Sequence, residues 1–213
     1  MENLYARLIN QLNELIPFIG ISRQDVFELI QQNIGFWFPN TAENLPKSYD
    51  VYRKQIIHSS FVLGYSYWEA FLSDLVEMIY LSRPKMLPRN KMISFNEILE
   101  VTKYEEVLKI FARKETYDLF YKPIRDIIKY FQEKLQVPFS PDVIERVVEC
   151  SYLRNCILHN RDYADIRLSE FPRYIIDQQF ELTSSDVHSF GIELRKEAKN
   201  LWDQACAKHL GFV

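Results

Sequence analysis

The chain has 213 residues and a formal net charge of −3, and it is 47% hydrophobic and 15% aromatic. That length and apolar content suffice for a full core, while the charge balance excludes a protein drawn to nucleic acid or anionic membrane by its overall field, so any polyanion must be held by a local basic patch. Three cysteines form neither a disulfide framework nor a metal-ligand spacing, which fits a reducing cytoplasm, and no stretch is long and apolar enough to span a bilayer.

Residues 1–20 carry Glu2, Arg7, Asn10 and Glu14, too many interruptions for a secretory signal. Leu4, Leu8, Leu12 and Leu15 instead mark an amphipathic helix expected to stop before Pro17. Val26, Phe27, Ile30 and Ile34 mark a second, short helix, followed by an aromatic loop with Phe36, Trp37 and Phe38. Residues 1–47 are expected to form a helical extension packed on a helical domain spanning 48–213.

The longest helical candidate spans about 50–81. Leu63, Tyr67, Phe71 and Met78 lie on one side and Phe61, Trp68, Leu72 and Val76 on the other, the pattern of a helix buried nearly all round. A basic, proline-broken loop follows, with Arg83, Lys85, Arg89 and Lys91. Further helices are expected near 95–100, 104–114 and 123–136. Five glycines in the whole chain and few alternating apolar runs support an all-α architecture.

The next helix, near 141–159, holds the most informative residues. Ser140-Pro141 opens it with a preferred cap and a proline in the first turn. Val143, Val147, Cys150, Ile157 and Leu158 fall on one arc, and Arg154 lands near the middle of it, where a guanidinium is costly unless paired or beside a cavity or partner. Glu145 and Glu149 are expected on the opposite, watery side. Asn155 and His159 stand four apart on the flank of the arc. Residues 163–180 read as irregular or short extended structure. Ser184 or Ser185 then caps a last helix carrying Val187, Phe190, Leu194, Ala198 and Leu201.

Arg154-Asn155-x3-His159, late in a helical chain, resembles the R-x4-H motif of the HEPN superfamily, helical-bundle domains whose nuclease members carry R-(polar)-x3–5-H. The helix with Tyr65 through Leu75 looks like the long helix of defence-associated members. The resemblance covers about residues 50–213, is specific in the motif helix and loose elsewhere. It implies an antiparallel helical bundle acting as a metal-independent endoribonuclease, with no cofactor, in a homodimer whose cleft is lined by motif residues of both subunits. RNA supplies its own nucleophile, the 2′-hydroxyl. His159 would move protons, Arg154 would hold the scissile phosphate, and Asn155 would orient phosphate or imidazole. The products would be a 2′,3′-cyclic phosphate and a 5′-hydroxyl.

Five residues on an ideal helix rotate about 140°, so Arg154 and His159 of one subunit do not naturally converge, which agrees with a shared dimer site. Glu69 is a candidate supporting carboxylate for Arg154, and Arg161, Arg83, Lys85, Arg89 and Lys91 are candidate RNA contacts. Lys122, Arg125 and Lys129 could add a basic face, although a solvated surface explains them equally well, and Tyr163, Tyr174 and Trp37 could stack bases, although core or interface packing is the better explanation of each. Family toxins silenced by nucleotide transfer carry a tyrosine two residues after the histidine. Here Arg161 stands there, so that regulation is not implied, although an antitoxin or other defence partner protein remains an expectation. The alternative is a non-catalytic helical module of the same architecture that binds a protein or senses a ligand, with its motif residues satisfied internally.

Overall fold

A computed structural model describes residues 3–20, 45–88, 92, 94, 99, 101 and 103–211. Among them the chain is all-α, with no strand and six helices: α1 (Leu4–Gly20), α2 (Leu45–Ser82), α3 (Tyr104–Phe120), α4 (Ile124–Glu133), α5 (Ile144–His159) and α6 (Ser184–Ala205). No described helix is long and apolar enough to cross a membrane. The expected helices near 26–34 and 95–100, the aromatic loop with Trp37, and the candidates Arg89 and Lys91 lie outside the described residues.

Several boundaries differ from expectation. Pro17 does not end α1, which runs on to Gly20. At α5 the Ser140 carbonyl accepts the Val143 N–H at 3.0 Å, a tight turn that puts the helix start at Ile144, three residues beyond Pro141. The cap of α6 is Thr183, whose Oγ1 accepts the Asp186 N–H at 3.1 Å while Asp186 Oδ2 accepts the Thr183 N–H at 2.8 Å. This reciprocal capping box displaces Ser184 and Ser185 from the capping role, because the acid must stand three residues after the cap.

The long helix α2 is not buried all round. Phe61, Trp68, Leu72 and Val76 are buried on one stripe together with Ile57, Tyr65, Leu75 and Ile79. On the other side Phe71 is buried, but Leu63 is 41% exposed, and Tyr67 and Met78 are half-buried. At Gly64 α1 lies close by, and a Cβ there would make an ordinary contact, 3.4 Å from Leu15 Cδ1.

The chain divides into two compact units. One comprises Met1–Ala6, Trp68–Val148 and Leu194–Val213; the other comprises Arg7–Tyr67 and Glu149–Glu193. In the first, α4 presents Ile124, Ile127, Ile128 and Phe131 at helical spacing, all buried. Phe131 meets Phe139 edge-on at 5.4 Å, and Phe139 meets Trp68 at 6.1 Å. Tyr130 donates to buried Glu115 at 2.9 Å and shares a hydrogen bond with Tyr80. Buried Glu197 accepts the Ser140 N–H at 2.9 Å and Asn200 Nδ2 at 3.2 Å. A π-helical turn, Cys206–Leu210, follows α6 and ends at Gly211, whose φ of +70° is a left-handed cap suited to glycine. His209 bonds to the Leu135 carbonyl at 2.7 Å, an anchor with no signal in the local sequence.

The second unit centres on the first half of α2, the second half of α5, residues 160–183 and the start of α6. Residues 160–183 are irregular, with one isolated antiparallel bridge, Tyr163 to Gln179, and a 3-10 turn at Leu168–Glu170. Asp165 holds that turn by accepting the Arg167 and Leu168 N–H groups. Phe61 packs on Phe190 at 5.4 Å, tying α6 to α2, and Tyr174 packs on Phe180 at 5.7 Å within the loop.

Candidate active site at the exit of α5

The second half of α5 turns a different face to the core than its apolar arc suggests. Val143, Val147 and Cys150 of that arc are buried, and so are Glu149, Tyr152, Leu153 and Cys156, whereas Arg154 and Ile157 are half-buried and Leu158 is 48% exposed. Arg154 is therefore not on the core stripe, and Glu149 is not in water. The reason is an ion pair: Arg173 Nε stands 2.7 Å from Glu149 Oε1, with Asp186 Oδ1 3.6 Å from Arg173 Nη1. The guanidinium also lies over the Tyr174 ring at 4.8 Å and Phe190 at 5.6 Å. With Glu149 compensated, the helix buries the side that carries it, and Leu158 at the end of the arc is left exposed. Glu145, by contrast, is exposed as expected and binds Arg125 through both carboxylate oxygens, at 3.0 and 3.3 Å.

Of the sequence-derived candidates, Arg154 and Asn155 are brought together: Arg154 Nη1 donates to Asn155 Oδ1 at 2.9 Å. Asn155 thus engages the guanidinium. His159 is exposed as the last residue of α5, and Arg161 is exposed two residues later. Glu69 is half-buried in the unit that does not hold Arg154. In the basic loop Arg83 Nε donates to the His209 carbonyl at 3.3 Å, while Lys85 is exposed on a 3-10 turn. Tyr174 is buried and presents no stacking face, whereas Tyr163 is 43% exposed.

A second constellation sits just beyond the motif. Asp162 is 8% exposed, and its carboxylate takes Lys54 Nζ and His58 Nδ1, each at 3.0 Å. His58 is 2% exposed and lies 6.3 Å from the Phe180 ring. Burial lowers the His58 pKa below its ordinary 6.5; Asp162 opposes that effect and Lys54 adds to it. A neutral imidazole donating from Nδ1 to Asp162 leaves Nε2 buried without a hydrogen-bond partner. Lys54 also borders a recess of about 500 Å³ lined by Val51, Arg53, Ile57, Glu181, Leu182 and Thr183. Nothing local in the sequence links residues a hundred positions apart, as in this cluster, or the 24 that separate Arg173 from Glu149, so neither is visible there.

Among the described residues no group of three His, Cys, Asp or Glu side chains is placed to hold a metal ion. Comparisons with protein families, with curated proteins and with solved structures find no match for this chain.

Proposed function

We propose that this chain is a metal-independent endoribonuclease of the HEPN type, an antiparallel helical bundle acting as a homodimer in a bacterial defence or toxin–antitoxin system. The observation that carries the reading is the end of α5: a half-buried guanidinium oriented by Asn155 and, one turn further along, an exposed imidazole. A bidentate Arg154 suits a phosphodiester, and His159 suits proton transfer near neutral pH. Half-buried Ile157 and exposed Leu158 near Arg154 support pairing with a second copy, because apolar surface flanking a polar site favours a partner over water.

In the reaction, His159 removes the proton of the 2′-hydroxyl, the oxygen attacks phosphorus, and the 5′-oxygen leaves after protonation. Arg154 offsets the charge that builds on the phosphoryl oxygens. Purified protein incubated with total cellular RNA in EDTA is expected to yield 2′,3′-cyclic phosphate and 5′-hydroxyl ends. Arg154→Ala and His159→Ala should each lower cleavage by about 100-fold or more while the helical circular dichroism stays unchanged. Cleavage that persists in both variants, or that needs a divalent metal, refutes the reading. Intact RNA leaves the non-catalytic module as the explanation, favoured by the internal Arg154–Asn155 bond.

A further inference from the structure

Two successive residues after α5, Arg161 and Asp162, have φ of +52° and +66°, a left-handed conformation that L side chains rarely adopt, although aspartate tolerates it better than most. Such a pair persists only where the surroundings over-determine it. Here four bonds converge on Asp162. Its N–H donates to the Cys156 carbonyl at 3.2 Å, its carbonyl accepts the Phe180 N–H at 2.9 Å, and its carboxylate meets Lys54 and His58. His159 and Arg161 are themselves exposed, so burial does not hold either in place. Arg161 adjoins the clamped residue directly, and His159, the last residue of α5, lies three residues before it.

We propose that Asp162, gripped by Lys54 and His58 of α2, is the positioning residue of the α5 exit, setting where His159 and Arg161 stand. The charged and titratable groups around the grip are Lys54 and His58 from α2 and Glu181, whose charge reaches His58, from the loop. The catalytic consequence rests on the ribonuclease reading; the geometric statement does not.

The test uses the full-length, isotope-labelled chain as wild type, Lys54→Met, Lys54→Arg and Asp162→Asn. Two quantities are read: the His159 imidazole and Arg161 amide resonances, and the pH profile of RNA cleavage with kcat and KM separated. Lys54→Met and Asp162→Asn are expected to shift both resonances and lower kcat by roughly 10- to 100-fold with little change in KM, because a small misplacement of a proton-transfer group costs that much. Lys54→Arg restores both. Lys54→Met changes the partly accessible end of the cluster, with Lys54 22% exposed, so it keeps the test open if Asp162→Asn fails to fold. Unchanged His159 and Arg161 resonances in a folded Lys54→Met protein overturn the proposal, as does a kcat loss that Lys54→Arg fails to rescue. If the wild-type protein cleaves no RNA, the functional reading falls while the resonances still decide the positioning claim.

Discussion

The two compact units solve the same problem, a buried carboxylate, by different means. In the unit holding α3 and α4, Glu115 meets the Tyr130 hydroxyl, and Glu197 meets a backbone N–H and an amide. In the unit holding the end of α5, Asp162 meets an ammonium and an imidazole, and Glu149 meets a guanidinium. Neutral donors satisfy a carboxylate without a second charge to desolvate. A buried ion pair desolvates both partners, and removing one strands the other. The unit that carries the motif is therefore expected to respond more sharply to loss of one of these charges.

Breaking the ionic side should give the largest effect. Asp162→Ala strands Lys54 and His58 and puts alanine at a φ of +66°, so it is expected to cost about 3–5 kcal/mol. Thermal unfolding would show this as a drop in Tm of roughly 10 °C. The matching change on the neutral side is Tyr130→Phe, which takes one donor from Glu115. Its expected cost is about 1–2 kcal/mol, measurable by urea denaturation. Equal losses in the two experiments would erase the distinction drawn between the units.

The pH response sharpens the comparison further. The folded His58 pKa lies below the unfolded value, so stability from its neutral form is complete above pH 6.5 and is lost as the pH falls through the depressed folded value. Denaturant midpoints measured from pH 7.5 downward should decline, and His58→Gln should flatten that slope. An identical slope in the variant would assign the acid sensitivity to other groups. The smallest expected effect is at Gly64, where an alanine Cβ finds ordinary van der Waals contact with Leu15. Gly64→Ala should leave stability unchanged or raise it by about 0.5–1 kcal/mol through helix propensity, as read by thermal melts.

Local periodicity made α4 and α6 legible, because each carries one apolar stripe at helical spacing. Val187, Phe190, Leu194, Ala198 and Leu201 are all buried, as their spacing requires. The same reasoning misplaced the second half of α5. An apolar arc of Val143, Val147, Cys150, Ile157 and Leu158 is a sound guide only while the competing face is costly to bury. Arg173, far along the chain, removed that cost for Glu149. The motif residues could be picked out by type and spacing, yet their surroundings could not. Asn155 bonds to its own neighbour, and the grip on Asp162 comes from α2.

The order of residues by itself determined the helical class, the amphipathic stripes and the spacing of Arg154 and His159, because backbone hydrogen bonding and side-chain periodicity act over a few residues. Tertiary structure alone decided which side of α5 is buried, which charges are compensated and what holds the helix exit. Those outcomes depend on pairs of residues distant in sequence, whose electrostatic interaction exists only once folding has brought them within a few ångströms of one another.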